Sequence, residues 1–214
     1  MLVLFMQISL GMPADAEIEF ALATIAPDGS CFNGVTRTYS HLAFDGSDGG
    51  DQIQAIVDGN DVYQGTWAGD EYCNIYVAVD IGGAAGYTTN PGWSGTGMGN
   101  GIWVQQTYVG SIGTSNVSRS RTLTHEVGHW LNLSHLWGPN NNPGDPGSCS
   151  DDDGVTDTPE CIGVTACVLT SNTCTGDNGY WGFNQIDNVE NYMEYSYCSK
   201  MFTQGQVDRM RVAI

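Results

Sequence analysis

Thr122 to His135 reads TLTHEVGHWLNLSH, and it holds three of the four histidines in a chain of 214 residues. His125 and His129 stand four apart, so on a helix their imidazoles leave one face about a turn from each other. That is a two-point grip for a metal ion. Glu126, beside the first ligand, is placed to take a proton from water on the metal rather than to bind the metal itself. His135 cannot join on a continuous helix, because six residues at about 100° each carry it about 240° around from His129. The helix must therefore end between them, and Asn132 stands where it would: asparagine is second to glycine in the left-handed conformation that turns a chain out of a helix. Three neutral nitrogen ligands with one open position describe a catalytic zinc site rather than a closed structural one.

The short pattern H-E-x-x-H also arises by chance on ordinary amphipathic helices, so its neighbours decide its meaning. The third histidine at the required spacing is one such neighbour. A second is NYMEY, Asn191 to Tyr195, a turn-like segment whose methionine would read alone as core filler.

Composition narrows the function further. Twenty-four acidic residues against six basic ones give a formal charge of −18, which disfavours nucleic-acid backbones and anionic membranes. No apolar run approaches the length of a membrane-spanning helix, so no membrane insertion is expected. Acidity suits a protein that holds calcium, and equally a solvated surface. Of the seven cysteines, four fall between Cys149 and Cys174 in a loop-rich region, which reads as disulfides and an oxidising, extracellular compartment. The odd count leaves at least one cysteine unpaired. The opening MLVLFMQISLGMPADA lacks the positive start of a signal peptide and reads as an internal segment of a longer secreted precursor.

Glu17 to Ile25 alternates Ile18, Phe20 and Leu22, the period of a first strand closed by the turn at Pro27 to Gly29. A helical patch is expected at Asp51 to Gly59. NIYVAVDI puts Ile75, Val77, Val79 and Ile81 on one side of a second strand, and GIWVQQTYVG, Gly101 to Gly110, forms a third. From Gly138 to Asp187 the chain turns to Gly, Asn, Asp, Pro and Cys without periodicity, and it needs external staples. Thr203 with Gln206 forms a capping box, and Phe202 is placed to pack on Val207, so a C-terminal helix begins there.

These blocks together resemble the metzincin clan of zinc endopeptidases, and within it the pappalysin family. SRSRTLTHEVGHWLNLSH, DDDGVTDTPE and NYMEYSYCSKMFTQGQVDRMR carry the resemblance, with IEFALATIAPDG, GVTRTY, YCNIYVAV and GYTTNPG in the N-terminal half. It implies an α+β zincin fold spanning residues 1–214 as a single catalytic domain. An upper lobe to about residue 135 would hold a twisted, mostly parallel sheet with backing and active-site helices above a cleft. From about 136 a disulfide-stapled lower lobe would carry the Met-turn and C-terminal helix. It also implies zinc on His125, His129 and His135, Glu126 as general base, Met193 as floor beneath the metal, and Tyr195 near the zinc, in its outer sphere or as an oxyanion donor. Calcium would be held by Asp153, Thr158 and Glu160, hard oxygen donors on a loop. Cys149 would pair with Cys174 and Cys167 with Cys198, leaving Cys31, Cys73 and Cys161, with Cys73 a buried thiol. A protein or peptide substrate would lie extended on an edge strand matched by Gly82 to Thr89.

Relatives that prefer basic residues carry acidic groups between the tyrosine and the next cysteine; here Ser196 and Tyr197 stand alone, so an apolar or aromatic preference fits equally. The blocking propeptide usual in the family is not in this sequence. A catalytically idle, calcium-stabilised binding module and a zinc hydrolase of a non-peptide substrate are the alternatives. The intact Glu126 and histidine set weigh against the first, and the edge strand against the second.

Overall fold

The computed structural model describes residues 13–37, 71–88, 101–175 and 182–214. The helical patch expected at Asp51 to Gly59 lies outside them, as does Thr89 at the end of the expected substrate strand. The chain divides into two compact units, one of residues 17–132 and one of residues 133–214 joined by the N-terminal segment up to Ala16.

Among the described residues the first unit holds a sheet of three strands, β1 (Asn74–Ala78), β2 (Gly86–Thr88) and β3 (Gly101–Gln105). β3 is central, parallel to β1 and antiparallel to β2. Its run of Ile102, Trp103 and Val104 is buried at every position, the pattern of a strand covered on both faces. On one face Trp103 stacks with Tyr76 at 4.5 Å and with Tyr87 at 6.1 Å between ring centroids. Ala78 and Ile81 complete that cluster. Across the other face runs α1 (Arg121–Trp130), packed on β2 and β3.

That arrangement covers the two faces of β1 unequally. Ile75 and Val77 share the face of Ile102 and Val104, yet they are 42% and 54% exposed. A helix about 10 Å wide spans only two strands set about 4.8 Å apart, and α1 lies over β2 and β3. The side of β1 that packs carries Tyr76 and Ala78 instead.

The strand expected at Glu17 to Ile25 is also corrected. Glu17 sits at a positive φ of 52°, Phe20 and Leu22 are exposed, and the only pairing among the described residues is one bridge from Ile25 to Cys31. Alternation assigns side chains to faces, but a strand forms only where a neighbour completes its main-chain hydrogen bonds.

The second unit is irregular and is held by covalent and polar ties. Disulfides join Cys149 to Cys174 and Cys167 to Cys198. Trp137, Met193, Val207 and Met210 fill its core. Its one α-helix among the described residues, α2 (Gln204–Val212), starts on a complete capping box of Thr203 and Gln206. Asp157 adds a second cap, accepting from Thr203 Oγ1 at 2.7 Å and from Gly205 N at 2.9 Å, so a carboxylate faces the positive end of the helix. Phe202, expected on Val207, has the ring of Tyr192 at 5.0 Å. Gln206 is fully buried and exchanges two hydrogen bonds with Asn191, at 2.7 and 3.2 Å. Asn191 Oδ1 in turn accepts from Met193 N at 2.9 Å. Among the described residues no helix is long and apolar enough to cross a membrane.

Candidate active site

α1 is prepared by the turn before it, where Asn116 Oδ1 accepts from the main-chain N–H groups of Ser118 and Arg119, both at 3.0 Å. It ends at Leu131, whose N–H still reaches Val127 O, and Asn132 follows at φ 70°. That left-handed residue swings the chain out of the helix and lets Leu133 to His135 return on a new path. Within one short continuous segment, the ligand nitrogens of His125, His129 and His135 come to lie within 4.8 Å of one another. Among the described residues this is the one group of three or more His, Cys, Asp and Glu side chains gathered so closely.

The donor set fits zinc. His125 Nε2 and His129 Nε2 are 3.1 Å apart, close to the roughly 3.3 Å that separates two nitrogens bound about 2.05 Å from a tetrahedral zinc. His135 Nδ1 lies 3.0 Å from Asn140 O. A carbonyl only accepts, so Nδ1 carries the proton and Nε2 keeps its lone pair for a metal.

His135 is further fixed by rings. Trp137 lies parallel to it, 4.3 Å between centroids, and Tyr195 meets both rings edge-on at 4.9 and 4.8 Å. Trp137 Nε1 donates to Asn140 Oδ1 at 3.2 Å, and Asn140 Nδ2 donates to Ser148 Oγ at 3.1 Å. One asparagine thus holds the ligand through its main chain and the stacking indole through its side chain. Neither Trp137 nor Asn140 follows from the histidine spacing. The neighbouring Trp-Gly-Pro-Asn turn is the signal that was available.

Glu126 is 5% exposed, and burial pushes its carboxyl up to about 8, partly opposed by the Thr88 hydroxyl. A bound cation would act in the opposite direction and favour the carboxylate. Around Tyr195 the structure adds a carboxylate that the sequence did not single out. Glu194 Oε1 accepts from Val164 N at 2.7 Å and from Tyr195 N at 3.0 Å, with Cys161 Sγ 3.7 Å from Oε2. Burial is the main cause that raises Glu194 to about 7. Met193 itself is completely buried and Tyr195 is 39% exposed.

In the acidic loop, Asp153 Oδ1 accepts from Val155 N and Thr158 Oγ1, both at 2.9 Å, and both Asp153 and Thr158 are buried. Glu160 is half-buried. Ser196 is buried with its hydroxyl donating to Val189 O, and Tyr197 is exposed. Cys31, Cys73 and Cys161 are free thiols, exposed, half-buried and buried in that order.

A sheet carrying a helix with two metal-facing histidines, a left-handed turn and a third histidine defines a zinc-peptidase type of fold. The comparisons with known proteins place it: residues 57–214 match the peptidase M43 family, described as Pregnancy-associated plasma protein-A, and the chain belongs to that family. An extracellular metalloprotease of Arthroderma otae is 38% identical over 103 residues, covering 47% of this chain and 33% of that protein. One from Verticillium alfalfae is 33% identical over 155 residues, covering 68% of this chain and 50% of that protein. The matches thus span between a third and a half of these relatives' length. Among solved structures, mirolysin in complex with compound 9 superposes with a TM-score of 0.68 at 30% identity, over 94% of this chain and 72% of that one. Mature mirolysin of Tannerella forsythia in complex with a cleaved peptide gives 0.65 at 30% identity, over 93% and 71%. The disulfides and the extracellular relatives assign the chain to a secreted, oxidising setting.

Proposed function

We propose that the chain is a single catalytic domain that hydrolyses internal peptide bonds with zinc held by His125, His129 and His135. The observation that carries this reading is the gathering of three imidazoles around one point, with Glu126 on the same helix. When bound, zinc lowers the pKa of water and polarises a carbonyl oxygen. Glu126 takes the proton of the attacking water and hands it to the departing amine. Tyr195 offers its phenolic O–H to the oxygen that gains negative charge. β2 is paired with β3 along one edge only among the described residues, so its other main-chain edge suits an extended substrate added as a further strand. Met193 would serve as the apolar floor beneath the metal. Asp153, Thr158 and Glu160 would hold calcium, which would stiffen the loop. Between Tyr195 and Cys198 stand only Ser196 and Tyr197, so no carboxylate there selects a basic side chain, and an apolar or aromatic one is accepted equally.

A mixed peptide library read by mass spectrometry tests the proposal. Cleavage by the zinc-loaded protein, lost on Glu126→Ala and on chelation, is the expected outcome. A folded, zinc-loaded protein that cleaves nothing would overturn it.

A further inference from the structure

We infer that Gly86 is a positioning residue for Glu126, present because the carboxylate needs the space that a side chain would fill. The inference rests on the reading of Glu126 as the general base. A Cβ built on Gly86 would lie 2.8 Å from Glu126 Cγ, 2.8 Å from Oε1 and 3.0 Å from Cδ, too close for any of the three to stay where it is. The contact falls on the stem as well as the tip of the glutamate, so rotating the carboxylate alone does not relieve it.

The backbone supplies no other reason for glycine. Gly29, Gly83 and Gly110 adopt positive φ, and a Cβ on any of them would meet nothing within 4 Å, so their conformation calls for glycine and their surroundings do not. Gly86 is the reverse: it is absent from the residues with positive φ and lies in regular antiparallel register opposite Val104. In such a strand glycine is a weaker choice than alanine. Thr88, two residues on and therefore on the same face, is also turned towards α1, its hydroxyl buried without a hydrogen bond among the described residues. β2 thus leaves room for Glu126 at Gly86, while α1 holds its Cα. The strand proposed to carry the substrate is also the strand that sets the base.

The test is a double-mutant cycle on the whole chain with Gly86→Ala and Glu126→Ala, alone and together, read by thermal unfolding, zinc content and turnover of a peptide found in the library. With Glu126 present, Gly86→Ala should lower the melting temperature and reduce kcat by about a hundredfold, the scale of an ångström-level misplacement. KM and zinc content should stay near wild type. With Glu126→Ala the clashing atoms are gone, and Gly86→Ala should leave the melting temperature unchanged or raise it. If Gly86→Ala fails to fold alone but folds when combined with Glu126→Ala, the contact is established in the same way. An equal loss of stability in both backgrounds overturns the contact. Unchanged kcat in Gly86→Ala overturns the positioning role even where the contact is real. Turnover surviving in Glu126→Ala alone would remove the general-base reading, and the stability cycle would still judge the contact.

Discussion

The ring of Trp137 lies flat against that of His135, with 1° between their planes and 4.3 Å between centroids. Trp137 is also completely buried and shares Asn140 with the histidine. Trp137→Ala should therefore weaken zinc binding by about 10- to 100-fold, the usual effect of losing a partner that orients a ligand. It should also cost about 3–5 kcal/mol of stability through the cavity left behind. Trp137→Phe keeps a stacking ring and loses the N–H, so its zinc affinity should fall between those of wild type and Trp137→Ala. Competition with a chromophoric chelator measures the affinities. Equal zinc affinity in all three proteins would leave the stack without a role in holding the metal.

Asn132 is left-handed at φ 70°, a conformation that costs a residue with an ordinary Cβ roughly 1–2 kcal/mol. Asn132→Ala should lose about that much in urea unfolding and should loosen zinc, since His135 lies downstream of the turn. Asn132→Gly should fold with near wild-type stability. A destabilised glycine variant would point to the asparagine side chain rather than the backbone.

Asp153 and Glu194 are both raised by burial to about 7, from ordinary values of 3.8 and 4.5. Groups raised on folding favour the native state when protonated, so their contribution is present at acid pH and is lost as pH climbs towards 7. In protein stripped of metal, unfolding free energy should fall between about pH 5 and 7, and Glu194→Gln should flatten the slope. Added calcium should raise the melting temperature more at pH 7.5 than at pH 5, where Asp153 remains protonated and is a poor ligand. Chemical denaturation across that range checks both, and a slope unchanged by Glu194→Gln would discount its share.

The Cys149–Cys174 bridge spans 25 residues of chain, for which the loop-closure model gives roughly 3.5 kcal/mol. Replacing both cysteines by serine should remove about that amount and make the loop region more sensitive to proteolysis. Limited digestion with mass mapping locates the change. Cuts confined to α1 would show that the bridge stabilises something else.

What could be read in the sequence was local. The end of α1 before His135 follows from angular arithmetic over six residues, and the start of α2 follows from Thr203 and Gln206, three apart. The alternation at Glu17 to Ile25 was equally local, but a strand also needs a partner that alternation does not report. Likewise the period of β1 separates Ile75 and Val77 from Tyr76 and Ala78, while the reach of a helix elsewhere in the chain decides which pair is covered. Glu194 with Val164, Asp157 with Thr203, and Gly86 with Glu126 meet across 30 to 46 residues. No spacing rule joins such pairs, because only the folded path brings them together.

The hydrogen bonds between Asn191 and Gln206 carry a consequence for how this sequence can drift. At the start of an isolated helix, glutamate and glutamine serve a capping box alike. Here Gln206 Nε2 donates to Asn191 Oδ1 in a fully buried place, so a glutamate would set two oxygens against each other and bury a charge. An aspartate at 191 would meet Gln206 Oε1 with the same conflict. The first turn of α2 and the turn carrying Met193 thus share one amide lock, and its two halves are free to change only together.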